Sequence, residues 1–262
     1  MPPWLVPVAL VAPALAPSPI IAPVPGVILR HTADETRDDG TRSRRFVIER
    51  DVVFATEPDG FAATVTLVRA DAQAGATESR MFAAANARLL GLPIVFHLDT
   101  HGNVRSVEDV SGAWVAWTAG LSAAARLSGN PNGSGAKAVR APLAQLPDDR
   151  KLAIIASMIT GLIAKRDDYV VADARTVSVT ASPLFGGPPL TGEASSVRAG
   201  DEVRHHIAAR GATPAGATTE MMIDRTIDPA TGLIRSVRQT EVTKTADAGT
   251  LKVTSTQSLR IR

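Results

Sequence analysis

The sequence predicts an α+β fold: a curved antiparallel β-sheet, forming a partial barrel, packed against two or three amphipathic helices. Three observations predict it. Alternating apolar and polar residues, broken by turn signals, dominate both ends of the chain. Two segments in the middle instead repeat their apolar residues at three-and-four spacing, the period of a helix with one buried stripe. The order is strands, then helices, then strands, without the regular β-α alternation that a parallel sheet requires.

The first 26 residues, "MPPWLVPVALVAPALAPSPIIAPVPG", are apolar and uncharged. Trp4 to Leu15 supplies the apolar stretch of an export signal, and Ala14-Leu15-Ala16 its small-x-small cleavage pattern. Two features depart from that pattern, since no Lys or Arg precedes the run and Pro17 would follow the cut. Pro7 and Pro13 interrupt any spanning helix, which argues against an integral membrane span. The expectation is a signal peptide and proline-rich lead-in over residues 1–25, and a single domain over 26–262.

From Gly26, "VILRHTADETRD", "TRSRRFVIERDVVFATE" and "FAATVTLVRADA" read as a three-stranded meander with turns at Asp39-Gly40 and Pro58 to Gly60. In the middle strand Phe46, Ile48 and, after a bulge, Val53 alternate against Arg45 and Glu49. "ESRMFAAANARLLG" then gives a short helix with Phe82, Ala85 and Leu89 on one face and Gly91 just past its end. "LPIVFHLD" and "VRSVED" form a second hairpin through "THGN". Ser106 with Asp109 resembles a capping box, and Val107, Val110, Trp114, Trp117 and Leu121 predict a helix from Val107 to Leu127.

"SGNPNGSGAK", Ser128 to Lys137, reads as a loop. A third helix follows, with Asp148 and Asp149 in its first turn, Lys165 and Arg166 in its last, and Leu152, Ile155, Ile159 and Leu162 facing inward. The remaining segments, "TVSVTAS", "GEASSVRAG", "DEVRHHIAAR", "TEMMIDRTID", "LIRSVRQTEVTKT" and "LKVTSTQSLRIR", read as strands, the last three a meander turning at "DPATG" and near "ADAGT". In the fifth of these, Leu233, Ile234, Val237 and Val242 do not keep a clean period of two.

Composition narrows the function classes. With no cysteine there is no disulfide, thiolate nucleophile, thiolate zinc site or lipid anchor on cysteine. A net charge of +2 and 4% aromatic residues argue against nucleic acid as a partner. The "RSRR" cluster at Arg42 to Arg45 reads as edge protection and solubility. No phosphate-binding loop is present, and no G-x-S-x-G either; Ser122 in "GLSAAAR" falls in mid-helix.

"FHLDTHGN" places His97, Asp99 and His101 at alternate positions, a spacing that on one strand face suits a zinc or manganese ion and a metal-dependent hydrolase. The turn explains the same residues more simply. Ile94, Phe96 and Leu98 take the core face, while Asp99, Gly102 and Asn103 are turn chemistry that removes His101 from the pleat. No metal or cofactor is therefore expected and no catalytic residue is nominated. His205 and His206 are adjacent on a strand and point to opposite faces, one buried and one exposed.

"GLPIVFHLDTHGNVRSVEDVSGAW", "VRAGDEVRHHIAAR" and "IDRTIDPATGLIRSVRQT" together resemble a layout found in uncharacterised exported bacterial proteins, with a D-x-x-G-x-V hairpin, a helix and a later T-G-L hairpin. The resemblance implies a curved sheet partly wrapping helices, similar in spirit to periplasmic lipoprotein carriers, and carries no functional residue with it. The expected function is a non-enzymatic protein of the periplasm or of the secreted fraction that holds an apolar ligand or an envelope-protein segment between sheet and helices. A protein interaction module on a strand edge is the further alternative.

Overall fold

Alternation without an interrupting proline carries the chain from Ile28 through three long strands, β1 (Ile28–Asp38), β2 (Ser43–Glu57) and β3 (Gly60–Gln73). The structure is a computed structural model describing residues 21–128, 143–165, 168, 172–180, 189–212, 216–245 and 249–262. After β3 come helix α1 (Ala76–Asn86), the hairpin of β4 (Pro93–Asp99) and β5 (Val104–Val107), and helices α2 (Val110–Leu127) and α3 (Asp148–Thr160). Six strands complete the chain: β6 (Ala172–Thr180), β7 (Pro189–Ala199), β8 (Glu202–Ala212), β9 (Thr218–Asp228), β10 (Leu233–Thr245) and β11 (Gly249–Ile261).

All strands among the described residues belong to one curved, unclosed antiparallel sheet of 11 strands in the order β5-β4-β3-β2-β1-β11-β10-β9-β8-β7-β6. Two meanders are thereby joined where the first strand meets the last. Leu29 lies opposite Ile261 and Asp38 opposite Lys252 across that junction.

The helix-facing side carries two apolar clusters. Phe54, Val65, Phe96 and Leu98 of the β1 to β5 half pack with Ile155, Ile159 and Ile163 of α3 and the turn after it, and with Ile21. Leu190, Ile207, Met221 and Ile227 anchor the second, on the β6 to β10 half. Each large side chain removed from water here contributes about 2 kcal/mol, so these clusters dominate the stability of the sheet. Ile21 is fully buried, and Gly102, at φ 79, lies under it: a Cβ there would come within 2.5 Å of Ile163.

Several boundaries differ from those the sequence predicts. Helix α1 ends at Asn86, and Leu89 reaches the core from the turns that follow. Helix α2 starts at Val110 because Val107 still belongs to β5. Its N-cap is Asp109, at φ 45, whose carboxylate accepts the Gly112 N–H at 2.9 Å in place of the Ser106 capping box. Helix α3 ends at Thr160 with Gly161 as its C-cap, so Lys165 lies outside it. The predicted loop from Ser128 to Lys137 lies, apart from Ser128, outside the described residues, as do Arg166 and the proposed signal sequence.

Two bulges account for the broken alternation. In β10 the extra residue is Arg235, which lets both Leu233 and Ile234 be buried. In the first meander the extra residue is Val68 of β3, because Glu49 pairs with Arg69 and Arg50 with Leu67. The predicted bulge in β2 is therefore absent. That strand keeps one phase from Phe46 through Ile48, Arg50, Val52 and Phe54, and Val52 and Phe54 are the buried pair, not Val53.

Candidate ligand groove

The uninterrupted phase of β2 puts Arg50 on the same face as Ile48 and Val52, under the helices. Its neighbour across β1 is His31, and Ala33 lies opposite Ile48 and Glu35 opposite Phe46. On the other side of β1, Gln257 lies opposite Ala33 and Ser255 opposite Glu35. These inward residues of β1, β2 and β11 floor a groove of about 580 Å³, walled by Phe82 of α1 and by Met158, Gly161 and Leu162 at the end of α3. That volume is in the usual range for a small-molecule site.

The two ends differ in chemistry. At the open end, Phe46 and Phe82 pack with ring centroids 5.1 Å apart, and the Arg37 guanidinium lies 5.4 Å above the Phe46 ring. Arg37 is also held by Glu35 at 2.6 Å, so its charge is compensated locally. At the inner end, Arg50 Nη1 lies 3.4 Å from His31 Nδ1, and His31 Nε2 lies 3.3 Å from Gln257 Oε1. An arginine only donates, so this chain sets His31 as the Nε2–H tautomer, accepting from Arg50 and donating to Gln257.

Burial and the neighbouring Arg50 charge push the His31 imidazole down to about 4, so it is neutral at pH 7. Burial also pulls the Arg50 guanidinium down to about 10, which leaves it charged. Among the described residues no carboxylate pairs with Arg50. Those on the adjacent positions of β2 point to the other face, where Glu49 is held by Arg30 and Arg69, and Asp51 by Arg30 and Arg262.

The residues singled out near position 100 go elsewhere. Asp99 accepts the backbone N–H groups of His101 and Asn103, each at 2.8 Å, and the Asn103 side-chain amide at 2.9 Å. Both of its oxygens are committed to the reversal of the chain. His97 is bracketed instead by Glu57, 2.8 Å from Nδ1, and Glu108, 3.3 Å from Nε2. Among the described residues no set of three or more His, Asp or Glu side chains is placed to hold a metal ion. Two arginines of the basic cluster are paired, Arg44 with Asp39 and Glu78 and Arg45 with Asp34. Ser122 donates to the Thr118 carbonyl within α2.

A second polar set lies in the β6 to β10 half. His205 is buried and His206 exposed, as alternation on β8 requires. Ser196 Oγ is 2.8 Å from His205 Nδ1, and Asp168 Oδ1 is 3.7 Å from Nε2. These are the residue types of a hydrolytic triad, but the roles do not match. The Ser196 hydroxyl donates to the Asp168 carbonyl at 3.0 Å, which commits the proton a general base would have to remove. Asp168 is held by the Lys165 N–H and by Arg225. The set ties the chain after α3 onto the second half of the sheet.

Sequence reasoning missed Arg50, His31 and Gln257. The usable signal was an arginine in phase with Phe46, Ile48, Val52 and Phe54, and the bulge assigned to β2 concealed it.

No family model matches the chain, and no curated protein matches it. Among solved structures it is similar to a "putative outer membrane lipoprotein-sorting protein domain" from Vibrio parahaemolyticus, at 10% identity over 90% of this chain and 86% of that one, with a TM-score of 0.22.

Proposed function

We propose that this chain is a non-enzymatic envelope protein, exported by its apolar amino-terminal segment, that holds an apolar ligand in the groove between sheet and helices. The observation that carries the reading is a groove of about 580 Å³ on the helix side of the sheet, with Phe46 and Ile48 on its floor and Phe82, Met158 and Leu162 in its wall. Unfilled apolar surface of this kind forgoes the burial that filled cores gain, and a ligand supplies it. No helix among the described residues is long and apolar enough to cross a membrane.

The test uses the neutral fluorophore N-phenyl-1-naphthylamine. The expected result is saturable, blue-shifted emission with wild type, weakened at least about tenfold in Phe82→Asp, which sets a charge in the wall. Emission that never saturates, or that the substitution leaves unchanged, removes the groove as the binding place. Sequencing the amino terminus of protein recovered from the envelope checks export.

A further inference from the structure

We infer that the ligand of this groove is a single-chain amphiphile bearing a carboxylate, with its headgroup on Arg50 and its hydrocarbon tail toward Phe46 and Phe82. The inference rests on the groove being a binding site and adds what it selects.

Charge complementarity carries it. Arg50 is the inward cation of the groove whose charge no described carboxylate offsets, since Arg37 at the mouth is already paired with Glu35. His31 beside it is neutral, and Gln257 is uncharged, so the inner end carries one uncompensated positive charge. Arg50 is half-buried and has lost part of its hydration without gaining a counterion, and a ligand monoanion relieves that cost. A carboxylate fits the count and the shape, because the planar guanidinium fork engages two oxygens at once. A phosphate monoester, with nearly two charges at neutral pH, would be left half neutralised.

The rest of the lining supports an attached tail. Beyond Arg50 the β2 side of the floor runs through Ile48 and Ala33 to Phe46, with Met158 and Leu162 above, while Ser255 and the paired Glu35 and Arg37 line the other side, so a chain leaving the headgroup has an apolar track along β2. A small free carboxylate would leave that length unfilled.

Displacement of bound N-phenyl-1-naphthylamine by dodecanoate, dodecanol, dodecyltrimethylammonium and acetate tests the inference. Wild type is expected to bind dodecanoate at least about tenfold more tightly than dodecanol, with the cationic amphiphile weaker still and acetate ineffective. Arg50→Met, close in length but uncharged, should abolish the preference, so that dodecanoate binds no more tightly than dodecanol. Equal affinity of wild type for dodecanoate and dodecanol overturns the inference while sparing the groove, and needs no variant to fold. Displacement by acetate as effective as by dodecanoate overturns the amphiphile. Failure of the fluorophore itself to bind discards the groove reading, and this inference with it.

Discussion

His31 shows how one buried imidazole couples stability to acidity. Its folded-state proton affinity is depressed to about 4 from 6.5, so between those values the unfolded chain binds the proton and the folded chain does not. Stability therefore rises with pH across that window, and wild type loses on the order of 3 kcal/mol as pH falls through it. The expected outcome is that His31→Gln loses markedly less between pH 7 and pH 4.5, measured as the shift in urea midpoint of each protein between the two conditions. Parallel pH slopes for the two proteins would show that this imidazole is not the group responsible. The comparison is of slopes, so the variant's own stability does not enter. None of this was legible beforehand, because "LRHTADE" offers a histidine in phase with Leu29 and Ala33 and says nothing of which strand will lie opposite. Asp99 was legible, since a carboxylate two residues before a backbone amide staples a turn by local geometry alone.

At the scale of elements, the joint between α1 and α2 sets the position of Phe82 and so the wall of the groove. Helix α2 approaches α1 at Gly120, where a Cβ would stand 2.1 Å from the Ala85 carbonyl oxygen. Two effects oppose each other in Gly120→Ala. Helix propensity favours alanine by about 1 kcal/mol, and forcing packed backbones apart costs about 1–3 kcal/mol. A backbone oxygen cannot swing aside as a side-chain tip can, so the clash wins. The variant should be less stable by about 1–2 kcal/mol in chemical denaturation. Gly161→Ala, at φ −68 with nothing within 4 Å, should instead gain about 0.5 kcal/mol. If both changes stabilise, the two helices do not meet at Gly120. Element types were readable from period alone; their ends were not. Ser106 and Asp109 both suit a cap, and only the pairing of Ser106 with His97 decides that the strand outlasts the first of them. The bulge at Val68 had no local mark either, because "TLVRADA" alternates poorly under either placement.

The whole molecule depends on a pairing between its most distant strands. β1 and β11 hold the two meanders in one sheet, and the loop closed by that junction is most of the chain. Pairing at such separation must be paid for in closure entropy before it is rewarded, so folding should be slow for this size. Ending the chain at Thr245 would expose β1 and β10 as long unpaired edges, each ready to join another molecule. Size-exclusion chromatography is expected to show that shortened chain as aggregate; a folded monomer would mean that each meander stands alone. The fold class was visible in the sequence because strand and helix periods are local. The union of the two meanders was not, since no residue of β1 names its partner more than 200 positions away.

Val68 supplies a last consequence. It is one spare link in β3 beside Arg50, in the strand that flanks the floor of the chamber without lining it. Two relatives could keep every contacting side chain and still accept guests of different length, if one had gained or lost that link. Selectivity here can drift by indel as readily as by substitution.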